Sequence, residues 1–179
     1  MTAARSAVNM VSAFRSILAW SLLGVIMGFA LFSLVLLSLV GARLRGRAAR
    51  TVIERAASLY LWCSPLYRIS VRGREHLPAS GSYVLVANHE SGLDGACLMV
   101  LAPRGRFLAT SWLFRTPIIG FVMRSCEHIP ERRHTAPEGP VEAMSMALRA
   151  GTNVVVFPEG EYGCSAVAPL RRGAFVAAR

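Results

Sequence analysis

A long apolar stretch near the amino terminus constrains this chain more than any other feature. No charged residue occurs from Ser16 to Ala42, and the stretch is rich in Leu, Val, Ile, Phe and Met. A helix needs about 20 consecutive apolar residues to cross the hydrocarbon core of a bilayer. The stretch is long enough to span a membrane with some tilt. The sequence therefore predicts a membrane anchor with a basic flank over residues 1–45.

Two alternatives to a straight span exist for the apolar stretch. A cleaved signal peptide is disfavoured, because the apolar core of such a peptide runs to about 15 residues at most. A pair of helices that dips into one leaflet, hinged near Gly24 or Gly28, fits the sequence as well as a single span does. The choice between a span and a re-entrant pair stays open at this point.

The flanks of the apolar stretch predict its orientation. Two basic residues precede it, and more follow closely: Arg5 and Arg15, then Arg43, Arg45, Arg47, Arg50 and Arg55. The more basic side of a membrane helix tends to stay in the cytoplasm. The cysteines are widely spaced and form no C-x-x-C pair, which is typical of free thiols in a reducing compartment. We therefore expect the rest of the chain on the cytoplasmic face of the membrane.

The charge balance indicates an anionic partner. The chain carries 20 basic residues, all of them Arg, against 10 acidic ones, for a formal net charge of +10. Arg suits bidentate phosphate contact, and Arg clusters beside a membrane helix attract anionic headgroups. A nucleic-acid binder of this charge should carry a recognisable binding motif, and the sequence has none. Membrane phospholipid, and not nucleic acid, is the predicted partner.

Residues 46–67 mix apolar and aromatic residues with scattered Arg. Trp62 and Tyr67 are of the types that favour the membrane interface. The segment is therefore interpreted as an amphipathic helix lying along the bilayer. An ordinary helix facing a protein core fits its periodicity equally well.

From residue 68 onward the pattern is α/β. Short runs rich in β-branched residues predict strands at 67–72, 83–87, 106–109 and 153–157, and the stretches between them predict helices at 93–101, 111–123 and 140–150. Strands that alternate with helices indicate a mostly parallel sheet flanked by helices. The predicted organisation is an anchor (1–45), an interfacial helix (46–67) and an α/β domain (68–179).

The first candidate site follows the strand that ends near Ala87. His89 is suited to act as a general base, and Asp94, five positions later, could hold one imidazole nitrogen and leave the other for a hydroxyl proton. Two plainer interpretations stay open: Asp94 could be a helix-capping residue paired with Ser91, and His89 could be a structural residue. A zinc site of the H-E-x-x-H type fails, because Leu93 occupies the position of the second His.

The second candidate site is the run Phe157, Pro158, Glu159 and Gly160, again just past an apolar strand. Taken alone, the run would be interpreted as a turn that ends the strand. Because the carboxyl ends of parallel strands meet at one edge of a sheet, two such turns predict a shared cleft.

The chain resembles the glycerolipid acyltransferases of the lysophosphatidic acid acyltransferase type. Their first motif, N-H-x-x-x-x-D, is present as Asn88, His89 and Asp94, and the third, F-P-E-G, is intact at 157–160. A looser match to the second motif is formed by residues Pro117, Gly120, Ile129, Pro130 and Arg132. The segment 169–174 is similar to the P-F-K-x-G-A segment of the family, with Arg in place of Lys.

The resemblance implies transfer of a fatty acyl group from acyl-CoA or acyl-carrier protein to a lysophospholipid hydroxyl, with no metal and no further cofactor. It implies that His89 deprotonates the hydroxyl and that Asp94 orients His89. It also implies an acceptor site with these residues: Arg132, Phe157, Pro158, Glu159, Gly160, Arg171 and Arg172.

Departures from the family pattern affect the substrate and the extent of the domain. After F-P-E-G the family often has Thr-Arg-Ser, whereas this chain has Glu161, Tyr162 and Gly163. The default acceptor is 1-acyl-glycerol-3-phosphate, and a less anionic lysolipid, such as a lyso-aminolipid, is the alternative. The family continues further than Arg179, so we expect the acyltransferase domain to be truncated here. A catalytically silent lipid-binding fragment is the remaining alternative.

Overall fold

The computed structural model describes residues 2–39, 42–131, 138–160 and 170–178, with side chains from residue 9 in the first helix and from residue 46 in the second. In chain order these residues form α1 (Thr2–Leu37), α2 (Ala42–Cys63), β1 (Val84–Val86), α3 (Asp94–Leu101), β2 (Arg106–Ala109), α4 (Pro117–Ser125), β3 (Ile129–Pro130), α5 (Pro140–Arg149), β4 (Val154–Val156) and α6 (Gly173–Ala177).

The four strands form one parallel sheet in the order β1-β4-β2-β3. The central strand β4 is a run of three valines, Val154 to Val156, each at most 3% exposed. Strands of a parallel sheet are covered on both faces, so a continuous β-branched run is what such a position requires. The parallel sheet flanked by helices, behind an apolar N-terminal helix, confirms the predicted fold class.

Helices cover both faces of the sheet. Val154 and Val156 pack with Met144 of α5 and Ala174 of α6 on one face. Val155 points to the other face, where it joins a cluster that includes Leu98 of α3. The period-two alternation along β4 thus divides the core into two layers.

The two N-terminal helices pack against each other and against α4. Their shared core contains Ile26, Ala30 and Leu34 of α1 with Ile53 of α2 and Val122 of α4. Most of the other apolar side chains on α1 stay exposed, among them Phe14, Trp20 and Phe29. The segment Asn9–Leu37 is long and apolar enough to cross a membrane: an 18-residue window within it has a mean hydropathy of 2.3, and 17% of that window is buried.

The sequence interpretation of this region needs two refinements. α1 runs through Gly24 and Gly28 without a break, so neither glycine is a hinge. The helix pair in the structure is formed by α1 and α2. α2 buries Ala49, Ile53 and Ala56 against its neighbours. This face of α2 matches the alternative interpretation, an ordinary helix that faces a protein core. Contact of its exposed side with lipid stays a prediction.

Three predicted elements of the α/β region differ in the structure. Residues 67–72 form no strand, because they lie largely exposed and pair with none of the four strands. The helix predicted over 111–123 is instead a 3-10 turn, Leu113–Arg115, followed by α4. Pro117 is the first residue of α4, and a proline disfavours helical backbone in the residue before it; Thr116 is accordingly extended. The two-residue strand β3 was not predicted.

Gly120 allows α4 to lie against this 3-10 turn. A Cβ atom at Gly120 would lie 2.4 Å from the carbonyl oxygen of Phe114. That separation is far below van der Waals contact, so the glycine of the loose second motif is required by backbone packing.

Candidate active site

The strand order brings the two candidate motifs together. β1 and β4 are adjacent and parallel, with Val86 opposite Val156, and the amide of Ala87 donates to the carbonyl of Val156 at 3.2 Å. The loops that leave both strands therefore emerge side by side at the carboxyl edge of the sheet. This is the edge at which ligands bind in open α/β sheets.

His89 and Asp94 form the centre of the site. The imidazole Nδ1 of His89 lies 2.9 Å from Oδ2 of Asp94. The same oxygen accepts hydrogen bonds from the backbone amides of Glu90, at 2.7 Å, and Ser91, at 2.8 Å. Both side chains are about three-quarters buried, with exposed fractions of 24% and 26%.

The protonation of this pair follows from its surroundings. Partial burial alone would raise the pKa of Asp94, but the hydrogen bonds from His89 and the amides of Ser91 and Glu90 outweigh it and lower the pKa below its usual value. Asp94 is thus a carboxylate at neutral pH and can only accept hydrogen bonds. The imidazole consequently donates from Nδ1, so that in its neutral form Nε2 is the nitrogen with a lone pair.

The structure also resolves the capping alternative for Asp94. Asp94 is the first residue of α3, and its carboxylate reaches back to the amide of Ser91, while Oγ of Ser91 accepts from the amide of Leu93 at 3.2 Å. Asp94 therefore holds both His89 and the loop that leads into α3, and no side chain caps the first turn of α3 itself. One carboxylate oxygen accepts all three bonds.

Phe157 lies directly against the imidazole. The rings of His89 and Phe157 are stacked, with centroids 4.1 Å apart and planes 16° from parallel. This contact fixes the tilt of the imidazole from the side of β4. Phe157, one of the predicted acceptor residues, is thus in contact with His89.

Arg171 covers the turn that follows Phe157. Gly160 has a φ of 76°, a region that favours glycine, and a Cβ there would lie 2.9 Å from the guanidinium carbon of Arg171. The backbone amide of Arg171 donates to the carbonyl of Pro158 at 3.0 Å. Pro158 is buried and Glu159 is half-buried in this turn.

A third strand contributes to the same edge. Glu131 follows β3, and its Oε2 lies 3.5 Å from Nη1 of Arg171, whose side chain is 67% exposed. The guanidinium of Arg171 thus lies between the Gly160 turn and the end of β3. Arg172 begins the turn into α6 with an exposed side chain.

Some predicted residues are not covered by the structure, and some structural contacts were not predicted. Arg132 and the departure at 161–163 lie outside the described residues. The pairing of Glu131 with Arg171 was missed, because the residues are 40 positions apart. The I-P-E-R run that contains Glu131 was the available signal.

Comparison with known proteins identifies the family of this chain. Residues 68–179 match the family model described as Acyltransferase. A chloroplastic 1-acyl-sn-glycerol-3-phosphate acyltransferase of Arabidopsis thaliana is 33% identical over 127 residues, which are 66% of this chain and 35% of that protein. The human 1-acyl-sn-glycerol-3-phosphate acyltransferase alpha is 30% identical over 155 residues, 83% of this chain and 54% of that protein.

A solved structure shares the fold. The crystal structure of the 1-acyl-sn-glycerophosphate acyltransferase PlsC from Thermotoga maritima aligns with a TM-score of 0.60 and 22% identity, covering 92% of this chain and 70% of that one. The chain spans about a third of the length of the plant relative and about half that of the human one. On its matched domain, this chain belongs to the acyltransferase family, and its curated relatives are 1-acyl-sn-glycerol-3-phosphate acyltransferases.

Proposed function

We propose that this protein transfers a fatty acyl group from a thioester donor to the free hydroxyl of a lysophospholipid in the membrane. The observation that carries the proposal is the 2.9 Å pair of His89 and Asp94 at the carboxyl end of β1. The pair supplies an oriented imidazole with a basic nitrogen, which is the equipment for deprotonating a hydroxyl.

The proposed reaction has two steps. The Nε2 atom of His89 removes the acceptor's hydroxyl proton as the oxygen attacks the thioester carbonyl, and the Asp94 carboxylate stabilises the resulting imidazolium. The tetrahedral intermediate then expels the thiolate, which takes the proton back from His89. One C–S bond is exchanged for one C–O bond, so the reaction needs no metal and no redox cofactor.

Arg171 is the proposed contact for a phosphate on the acceptor. Its guanidinium is mostly exposed beside the Gly160 turn and offers the fork geometry that binds phosphate. Its partner Glu131 would have to share it with the ligand, which favours an acceptor of moderate charge. The names of the curated relatives support 1-acyl-glycerol-3-phosphate as the default acceptor.

Acyl-CoA or acyl-carrier protein is the proposed donor. The exposed apolar face of α1 supports a membrane location, and the basic flank that follows it supports the cytoplasmic side. A lysolipid lies at a bilayer surface, so a membrane anchor would keep the active site beside its substrate.

Mass spectrometry of lipid products tests the proposal. Vesicles that contain the protein receive acyl-CoA and a mixed panel of lysolipids, including lysophosphatidic acid and a lyso-aminolipid. We expect a diacyl product that disappears in His89→Ala, and the mass of that product identifies the acceptor.

The matched control is His76→Ala. His76 is an exposed histidine whose side chain is 83% accessible, so its loss should leave the product intact. Product formation by His89→Ala would remove the general-base assignment. No product from folded, membrane-bound wild type with either donor would favour the alternative, a silent lipid-binding protein.

A further inference from the structure

An ionic connection ties the first half of α2 to the opposite edge of the sheet. Oε2 of Glu127 accepts from Nη1 of Arg50 on α2 at 2.8 Å and from Nη2 of Arg106, the first residue of β2, at 2.5 Å. Arg50 also donates to the carbonyl of Cys126 at 2.9 Å. One carboxylate thus joins the helix pair to the sheet.

The chain makes room for this carboxylate in two ways. A Cβ atom at Gly46, one turn before Arg50, would lie 2.2 Å from the carboxyl carbon of Glu127. Glu127 itself has a φ of 54°, a left-handed conformation that is uncommon for a residue other than glycine. Backbone strain of this kind persists where surrounding contacts determine the position.

The connection is charged, and one of its members is buried. The side chain of Arg50 is 5% exposed and that of Glu127 is 43% exposed, and charge-assisted bonds of this kind are stronger than neutral ones. Partial burial alone would raise the pKa of Glu127, but Arg50 and Arg106 lower it below its usual value, so the group is a carboxylate at neutral pH. Next to it, the buried His128 accepts from the amide of Phe107 at 3.1 Å, and burial with two nearby Arg residues lowers its pKa to about 4.

The connection lies at the edge of the sheet opposite the catalytic pair. It holds α2 through Arg50, and α2 links the two edges. α2 packs against α3, and the first residue of α3 is Asp94. α2 also packs against α1, the helix that carries the exposed apolar face. The orientation of α2 therefore affects both the catalytic edge and the anchor.

We infer that Glu127 is a positioning residue that, with Gly46 and Arg50, sets the angle between the α1–α2 pair and the sheet and so presents the catalytic edge to acceptor held in a membrane. The inference rests on the proposed function. It predicts that loosening the connection impairs the use of membrane-held acceptor and spares the chemical step.

Gly46→Ala is the main test variant. The carboxylate of Glu127 is the end of a flexible side chain, so the added methyl group should displace it from its two Arg partners without unfolding the protein. Alanine is also the better helix former inside α2, so helix propensity cannot explain a loss. Glu127→Gln removes the charge directly, and the double variant Gly46→Ala with Glu127→Asp restores space with a shorter carboxylate.

Glu142→Gln is the matched control. Glu142 pairs with Arg149 within α5, and both side chains are exposed. The substitution also removes a Glu–Arg ion pair, but this pair lies within one helix and does not connect two elements. It should behave as wild type in every assay.

Two acceptors separate positioning from general stability: a long-chain lysolipid in vesicles and a short-chain lysolipid dispersed below its critical micelle concentration. We expect Gly46→Ala and Glu127→Gln to raise the apparent KM in vesicles by about tenfold, with kcat and the dispersed-substrate activity within about twofold of wild type. The double variant should recover most of the loss. Equal losses with both acceptors, or no loss with either, would overturn the inference.

A distance measurement keeps this test separate from that of the proposed function. A keto amino acid that carries a spin label replaces Leu59 on α2 and Met146 on α5, which are both exposed. The distance between the two labels changes with the angle between the helix pair and the sheet. A broader distance distribution in Gly46→Ala than in Glu142→Gln supports the connection even if wild type transfers no acyl group. An unchanged distribution contradicts it.

Discussion

Asp94 combines a structural and a proposed chemical role through a single oxygen. Its Oδ2 accepts from the backbone amides of Glu90 and Ser91 and from the imidazole of His89. The two amides hold the carboxylate at the start of α3, and the carboxylate in turn holds the imidazole. The base is thus oriented by backbone groups that cannot rotate away, which is the preorganisation that proton transfer requires.

Asp94→Asn should reduce kcat by about 10²–10⁴-fold, the range that a positioned proton acceptor contributes. An amide no longer stabilises the imidazolium and no longer enforces the proton on Nδ1. Steady-state rates with vesicle-held lysolipid measure the effect. A variant with wild-type kcat would show that Asp94 serves only to hold the loop before α3.

The lowered pKa of Asp94 gives this residue a definite pH dependence. Because the folded pKa lies below that of an unfolded chain, about 3.9, the ionised carboxylate contributes its full stability above that pH and loses it as the pH falls through the folded value. The difference in unfolding free energy between wild type and Asp94→Asn should therefore shrink as the pH falls below about 4. Denaturant titrations in detergent measure it, and a difference that stays constant down to acid pH would contradict the assignment.

Gly160→Ala should raise the KM for a phosphate-bearing acceptor. The new methyl group would meet the guanidinium of Arg171 at 2.9 Å and push it away from the turn. Gly151→Ala is the matched control, because Gly151 has a similar φ of 73° but open space around its Cβ position. Equal effects of the two substitutions would assign the change to backbone strain and not to Arg171.

At the scale of elements, α5 supports the sheet from the face that does not carry α3. Met144 is fully buried between β4 and α6, whereas Met146, two residues later on the same helix, is 54% exposed. Met144 and Met146 thus share a residue type and a helix and differ in burial.

Met144→Ala should lower the free energy of unfolding by about 2–5 kcal/mol, because it leaves a cavity beside the central strand. Met146→Ala should change it by less than about 0.5 kcal/mol. Denaturant unfolding measures both, and kcat of the folded fraction should stay at the wild-type value. Comparable losses for the two variants would contradict the position of α5 in the core.

At the scale of the whole molecule, the helix pair and the sheet form one packed body. Arg15 of α1 donates to the carbonyl of Pro65 beyond the end of α2, and Cys126 of the α/β region packs into the core of the helix pair. The exposed apolar residues are concentrated on α1, in a number that no soluble surface normally carries.

Binding to vesicles should therefore persist in about 1 M salt, where the Debye length is only about 3 Å. Sedimentation with neutral and with anionic vesicles measures it. Phe29→Arg, at an exposed position of α1, should weaken binding, since a charge at a central membrane position costs about 2.5–3.5 kcal/mol or more. Release of wild type by salt would show that the Arg clusters, and not α1, hold the protein to lipid.

Much of the fold and the site could be predicted from local patterns. The apolar stretch, the strands around residues 84–86 and 154–156 and the helix that begins near Asp94 each follow from short-range composition and spacing. The pairing of His89 with Asp94 was also accessible, because five residues of chain limit how far the two can separate. Residues 67–72 differ: their composition suits a strand, but no strand of the described residues lies beside them to pair with.

The sequence determined which residues lie at strand ends and helix starts, because turn chemistry and hydrophobic period act over a few residues. The tertiary structure decided which ends meet. β4 lies beside β1 although nearly 70 residues separate Leu85 from its partner Val155, and that adjacency stacks Phe157 on His89. The contact of Glu127 with Gly46 and Arg50 depends in the same way on how α2 packs against the sheet. Contacts across such separations depend on the packing of whole elements to within an ångström or so, and no local pattern in the chain encodes that.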